Sequence, residues 1–189
     1  MAKVVFIRHG EPDYTDVNNK KYIGHGKDLA QLTAKGMQQA EEVSRDKRLD
    51  NSEIIISSPY TRALQTAAII SKNRNLNIQV ELDLHEWLPD VTFQYSTYDD
   101  VKKAAGLCDE NRGICPPDCE VLFENLEDVF TRVKNCLLKY KDYGKIIVVA
   151  HGVVMRQFGY EPEIQFCGVK EIDFDEHFEW GGFFGTASL

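Results

Sequence analysis

Two apolar runs in this sequence stop at the same dipeptide. VVFIRHG (residues 4–10) and IIVVAHG (residues 146–152) both close on His-Gly, which puts His9 and His151 at what read as strand ends. A third run, EIIISS (residues 53–58), leads through Pro59 into a helical pattern whose first turn holds Arg62. A cation there is disfavoured by the helix dipole, by roughly 0.3–1 kcal/mol when exposed. Arg62 also lies off the apolar face of that helix, so its place makes sense with an anion in front of it. With Arg8 beside His9, two guanidiniums and two imidazoles converge. That donor set suits a phosphoryl group, whose transition state spreads charge over its equatorial oxygens. Phosphate monoesters are among the slowest compounds to hydrolyse unaided, so a covalent intermediate is valuable. A neutral imidazole is a competent nucleophile near pH 7 without a partner base. Such a site is coherent with no metal and no cofactor.

The elements that must position these groups follow from the patterning. The three runs are continuous and β-branched, as expected of strands buried on both faces of a parallel sheet, and NIQVEL (residues 77–82) is a shorter fourth. Helical patterns lie between them. One runs over residues 33–49 from an N-cap at Thr33. One runs over 59–73 with Ser58 as N-cap and Pro59 at the first helical position. One runs over 122–140, with Leu122, Leu126, Val129, Phe130, Val133 and Leu137 at helical spacing. Strand-helix alternation implies an α/β fold, a three-layer sandwich with a mostly parallel central sheet flanked by helices. In such sheets ligands bind at the carboxyl ends of the strands, where Arg8, His9, Ser58 and His151 fall.

Residues 87–120 break the rhythm with Pro89, Gly106, Gly113 and Pro116-Pro117, and carry a helical candidate near 98–107. This segment reads as a lid-like insertion over the carboxyl end of the strands in a single domain spanning residues 1–189. Past Pro162, alternation through Ile172 and Phe174 and then Phe178 and Trp180 predicts a final strand or hairpin. The aromatic tail FEWGGFFG is a candidate homodimer interface or a cover for the sheet edge.

The formal charge of −8 argues against nucleic-acid and anionic-membrane partners, which need a basic face. It leaves room for a small anionic substrate held by a local arginine cluster. No run has the roughly 18–20 apolar residues of a membrane span, and the N-terminal stretch is too short for a signal peptide, so a cytoplasmic location is expected. The five cysteines, Cys108, Cys115, Cys119, Cys136 and Cys167, form no CxxC pair and are expected as free thiols. GHGK (residues 24–27) lacks the spacing of a phosphate loop, and Lys20, Lys21 and Lys27 read as a solvated charged loop, with help in holding an anion as the alternative.

With these residues in hand, the sequence resembles the histidine phosphatase superfamily, the phosphoglycerate-mutase-like proteins. The matching motifs are RHGE (8–11), LTAKGMQQA (32–40), SSPYTRALQTA (57–67), LHEW (84–87) and AHG (150–152), in the family's order. The resemblance implies that His9 is the nucleophile that becomes phosphorylated. It implies that Arg8, Arg62 and His151 form the phosphate pocket, and that Glu86 protonates the leaving oxygen and then activates water. His85, Asp83 and Asp90 are the alternatives for that acid. A polar residue a few positions after RHGE often contacts the phosphate in the family, and Thr15 is its nearest counterpart. LHEWLPDVTFQY lacks the element that mutases carry after the catalytic acid, which favours hydrolysis of a small phosphorylated substrate over mutase-type phosphoryl transfer. A non-catalytic phospho-ligand binder on the same fold is the remaining alternative. Substrate choice is expected to reside in residues 11–31 and 87–120.

Overall fold

The computed structural model describes residues 2–186. β1 (Ala2–Arg8) leads into a small antiparallel ladder of β2 (Pro12–Asp13) with β3 (Gln31–Leu32). β4 (Ile54–Ser57), β5 (Ile78–Val80), β6 (Lys145–Ala150) and β7 (Val169–Phe174) join β1 in a five-stranded sheet of order β5-β4-β6-β1-β7. All neighbours are parallel except β7, which runs antiparallel along β1.

Alternation along β1 feeds two cores, one on each face of the sheet. Val4 and Phe6 pack with Val129 and Val133 of α5 (Leu126–Leu138). Val5 and Ile7 pack with Ala63, Ala67 and Ile70 of α3 (Thr61–Arg74). Burying each such branched or aromatic side chain stabilises the fold by about 1.5–3 kcal/mol. α2 (Ala34–Val43) flanks α3, while α4 (Tyr98–Glu110) lies with α5, completing helix, sheet and helix layers as expected.

Several boundaries differ from the sequence reading. α2 opens on Thr33, whose hydroxyl accepts from Gly36 N–H, but it ends at Val43. A separate turn at Lys47–Leu49, capped by Asp46, takes the rest. α3 starts at Thr61 with Tyr60 as its N-cap residue, two residues later than expected, because Ser58 Oγ accepts from Tyr60 N–H in a preceding turn. Arg62 remains in the first turn. α5 begins at Leu126, since residues 121–125 are held in an irregular path by Glu124 N–H to Leu88 O (2.9 Å) and Cys115 N–H to Asn125 Oδ1 (2.7 Å). After β7 no second arm of a hairpin forms among the described residues. Phe178 instead joins the rings of Phe130, Phe158 and Phe174, and Trp180 donates from Nε1 to Gln157 Oε1 (3.2 Å), so the tail covers one core face. The cysteines are free thiols. Among the described residues no helix is long and apolar enough to cross a membrane.

Candidate active site

The register of the central strands sets the site. Arg8 pairs with Ala150, so the next residue on each strand is a histidine, and His9 N–H donates to Ala150 O at 3.0 Å. The two imidazoles meet edge to face with centroids 5.1 Å apart. Ser57 pairs with Val149 on the other side of β6, which brings Ser58 and the start of α3 to the same level. The sharp departure after His9 relies on two glycines in close backbone contact. A Cβ on Gly10 would run into Gly36 O, and one on Gly36 would run into Glu11 O.

His9 is buried, and its Nδ1–H donates to Gly10 O at 2.7 Å. That bond assigns the proton to Nδ1 and leaves the lone pair on Nε2, where Arg62 Nε–H donates at 3.3 Å. Burial first, and then the positive charge of Arg62, hold His9 well below its ordinary pKa of 6.5. The ring therefore stays unprotonated at neutral pH, with the Nε2 lone pair available.

Arg62 is itself buried against the Tyr60 ring (4.9 Å) and donates from Nη1 to Asp28 Oδ1 at 3.1 Å. Asp28 Oδ2 in turn pairs with His25 Nδ1 at 3.1 Å. Arg8 lies under the Phe166 ring (4.5 Å) and donates from Nη1 to Ile164 O at 2.6 Å, while its buried Nε has no partner. His151 is fully buried and lies beneath the cavity surface, touching His9 and Tyr60. Its Nε2 pairs with Ser58 Oγ at 2.7 Å and its Nδ1 is without a partner. Burial, then Arg62 and His9, keep it well below its usual pKa, so it also stays neutral.

Glu86 lines the same cavity as Arg8, His9 and Arg62. Its carboxylate accepts from Trp87 N–H (2.9 Å) and from Val153 and Val154 N–H (3.2 and 3.3 Å) at the start of α6 (Gly152–Arg156). Burial raises its pKa above the usual 4.5; the backbone donors and Arg8 oppose the rise without cancelling it. It therefore holds a proton to higher pH than an ordinary glutamate, as a general acid must.

The alternatives for that acid do not reach the cavity. His85 donates from Nδ1 to Glu86 O, and Asp90 accepts from Thr92 and Gln94 in a local turn. Thr15 departs from its expected place. It opens α1 (Thr15–Asn19), is exposed, and its N–H is taken by Asp13 Oδ1; Tyr14 and Asn18, a helical turn apart on the other side, line the cavity instead. Lys27 lines it too, with Nζ on Asn18 Oδ1 at 2.7 Å, whereas the exposed Lys20 and Lys21 do not. Asp28, Asn18 and Tyr60 were not picked out by sequence reasoning. The spacing of Tyr14 and Asn18 was the available signal, and Asp28 had none.

The model of the histidine phosphatase superfamily (branch 1) matches residues 4–161. The chain is 32% identical over 174 residues to an uncharacterized phosphatase, PhoE, of Bacillus subtilis, covering 87% of this chain and 82% of that protein. It is 35% identical over 86 residues to a 2,3-bisphosphoglycerate-dependent phosphoglycerate mutase of Thermoplasma acidophilum, 46% of this chain and 42% of that one. The fold matches that of a mutant phosphoserine phosphatase from Entamoeba histolytica solved with phosphoserine, with a TM-score of 0.65, 24% identity and 97% of each chain covered.

Proposed function

Because the chain belongs to the histidine phosphatase superfamily, we propose that it hydrolyses phosphate monoesters in two steps through a phosphohistidine on His9. The observation that carries this reading is the bond from His9 Nδ1–H to Gly10 O, which directs the Nε2 lone pair to the side where Arg62 stands. In the first step Nε2 attacks phosphorus as the ester P–O bond breaks, and Glu86 gives its proton to the departing oxygen. Arg8 and Arg62 bear the charge on the equatorial oxygens. His151, neutral and buried against His9, supports the transferring group from below. In the second step Glu86, now a carboxylate, takes a proton from water as the water oxygen attacks phosphorus. The P–N bond breaks, and inorganic phosphate leaves with His9 restored.

The test is direct. Acid-sensitive phosphate should be trapped on His9 by mass spectrometry after rapid quenching, and His9→Ala should lose roughly a thousandfold or more in kcat. Near-wild-type hydrolysis by His9→Ala would sink the mechanism. A mutase would show strong stimulation by a bisphosphorylated primer with slow net phosphate release.

A further inference from the structure

We propose that the alcohol released from the ester is uncharged and aromatic, a proposal that rests on the phosphoryl-binding role given above to Arg8, His9 and Arg62. The cavity encloses about 430 Å³, within the range of small-molecule sites and far more than a phosphoryl group needs. Trp87, Tyr95, Tyr98 and Val101 also line it, and every residue of 87–101 that lines it is uncharged.

The charged side chains of that segment do not line the cavity. Asp90 closes a local turn with Thr92, Asp100 accepts from Ser96 and Thr97 N–H at the start of α4, and Lys103 pairs with Glu120. An anionic leaving group would meet the carboxylate of Asp28. Beyond the two arginines, the lining cation among the described residues is Lys27, already bonded to Asn18. A cationic leaving group finds Asp28 with both oxygens occupied, Oδ1 by Arg62 and Oδ2 by His25. What the wall presents to the cavity is ring surface, with Lys102 Nζ over the Tyr98 ring at 4.5 Å, and ring surface favours offset or edge contacts with another ring.

The wall is also held in place. Gly24 N–H donates to Tyr95 O at 2.9 Å, and the His25 and Phe93 rings lie 4.4 Å apart. Gly24 has φ +50°, and a Cβ there would sit 2.5 Å from Phe93 O, so the close approach requires glycine. A wall already in position loses little freedom when a ring docks on it.

Benzyl phosphate and propyl phosphate release alcohols of similar basicity, so the ratio of their kcat/KM values reports contacts to the group and not its chemical reactivity. The ratio should favour benzyl phosphate by about tenfold or more, and Tyr95→Leu and Tyr98→Ala should each draw it toward one. Calorimetry with benzylphosphonate and propylphosphonate makes the same comparison without turnover. A preference for the benzyl compound in binding, with no ester hydrolysed, would overturn the phosphatase reading while upholding the cavity's preference for an uncharged aromatic group on the phosphate. Equal kcat/KM and equal affinity, or a higher kcat/KM for 3-phosphoglycerate, would overturn this one.

Discussion

On the floor of the cavity, Arg8, His9 and Arg62 stand at a strand end and a helix start, and the groups they contact come from other parts of the fold: Ile164, Ala150 and Asp28. On the wall from residues 87–101, Tyr95 and Tyr98 stand on a segment whose polar contacts are largely local, such as Asp90 with Thr92 and Thr97 with Asp100. Burying charge and imidazole is costly unless partners are fixed around them, so the floor can exist only where the sheet register and both flanking layers over-determine it. The wall presents rings and hydroxyls, with Tyr98 exposed, and needs less support, chiefly the bond from Gly24 N–H to Tyr95 O. Changes in the floor should therefore alter rate and pH dependence, whereas changes in the wall should alter the choice of leaving group or local stability.

The sharpest way to break this division is at Glu86, which joins floor to wall. Glu86→Gln keeps the shape but cannot give up a proton. With an alkyl phosphate kcat/KM, which reports the transfer to His9 and not the later attack of water, should fall by roughly 10²–10⁴. With p-nitrophenyl phosphate, whose leaving group departs without protonation, the fall should be much smaller. Equal losses on the two esters would remove Glu86 from the acid role.

Arg62 tests the floor's electrostatics. Arg62→Gln should lower kcat by about 10²–10³, the usual effect of removing a donor aimed at developing charge. The pH profile of kcat/KM carries a sign as well. On the acid side activity falls as His9 takes a proton, and because burial and Arg62 hold His9 below 6.5, that limb lies below 6.5. On the alkaline side activity falls as Glu86 loses its proton, and because burial raises Glu86, that limb lies above 4.5. Arg62 lowers both groups, so removing its charge should move both limbs to higher pH. Tyr98→Ala should move neither. Stationary limbs in Arg62→Gln would show that burial alone sets the two pKa values.

Much of the floor was legible because each of its residues sits at a junction that leaves a mark in sequence. The β-branched runs end abruptly at Arg8-His9 and at His151, and Arg62 is a cation where a helix dipole resists one. The partner network was not legible. Asp28 reaches Arg62 from a 3₁₀ turn, Gly24–Leu29, whose place depends on contact with the 91–95 loop rather than on its own pattern. Thr15 was misplaced because the five-residue helix α1 gives too few positions to fix which face turns inward. The start of α5 slipped from Leu122 to Leu126 because the apolar spacing continued through residues held by Leu88 at the Glu124 backbone and by Cys115 at the Asn125 side chain.

The smallest effects separate floor from wall by how far they spread. Gly36→Ala drives a Cβ into Glu11 O, so α2 and the loop after β1 must part. That overpacking should cost about 1–3 kcal/mol and should register across the whole domain, because the displaced loop carries His9 out of β1. Thr97→Ala removes one half of a capping box, in which Thr97 Oγ1 accepts from Asp100 N–H (3.1 Å) and Asp100 Oδ2 accepts from Thr97 N–H (2.8 Å). Its cost should be about 1 kcal/mol and should fall on α4 alone. Hydrogen exchange resolves the two cases. In Gly36→Ala the amides of β1 and β6 should lose protection together with a lowered melting temperature, whereas in Thr97→Ala faster exchange should be confined to the first turns of α4. If Thr97→Ala loosened β1 as much as Gly36→Ala does, wall and floor would open as one cooperative unit. The freedom of the wall to change substrate without disturbing the chemistry would then be lost.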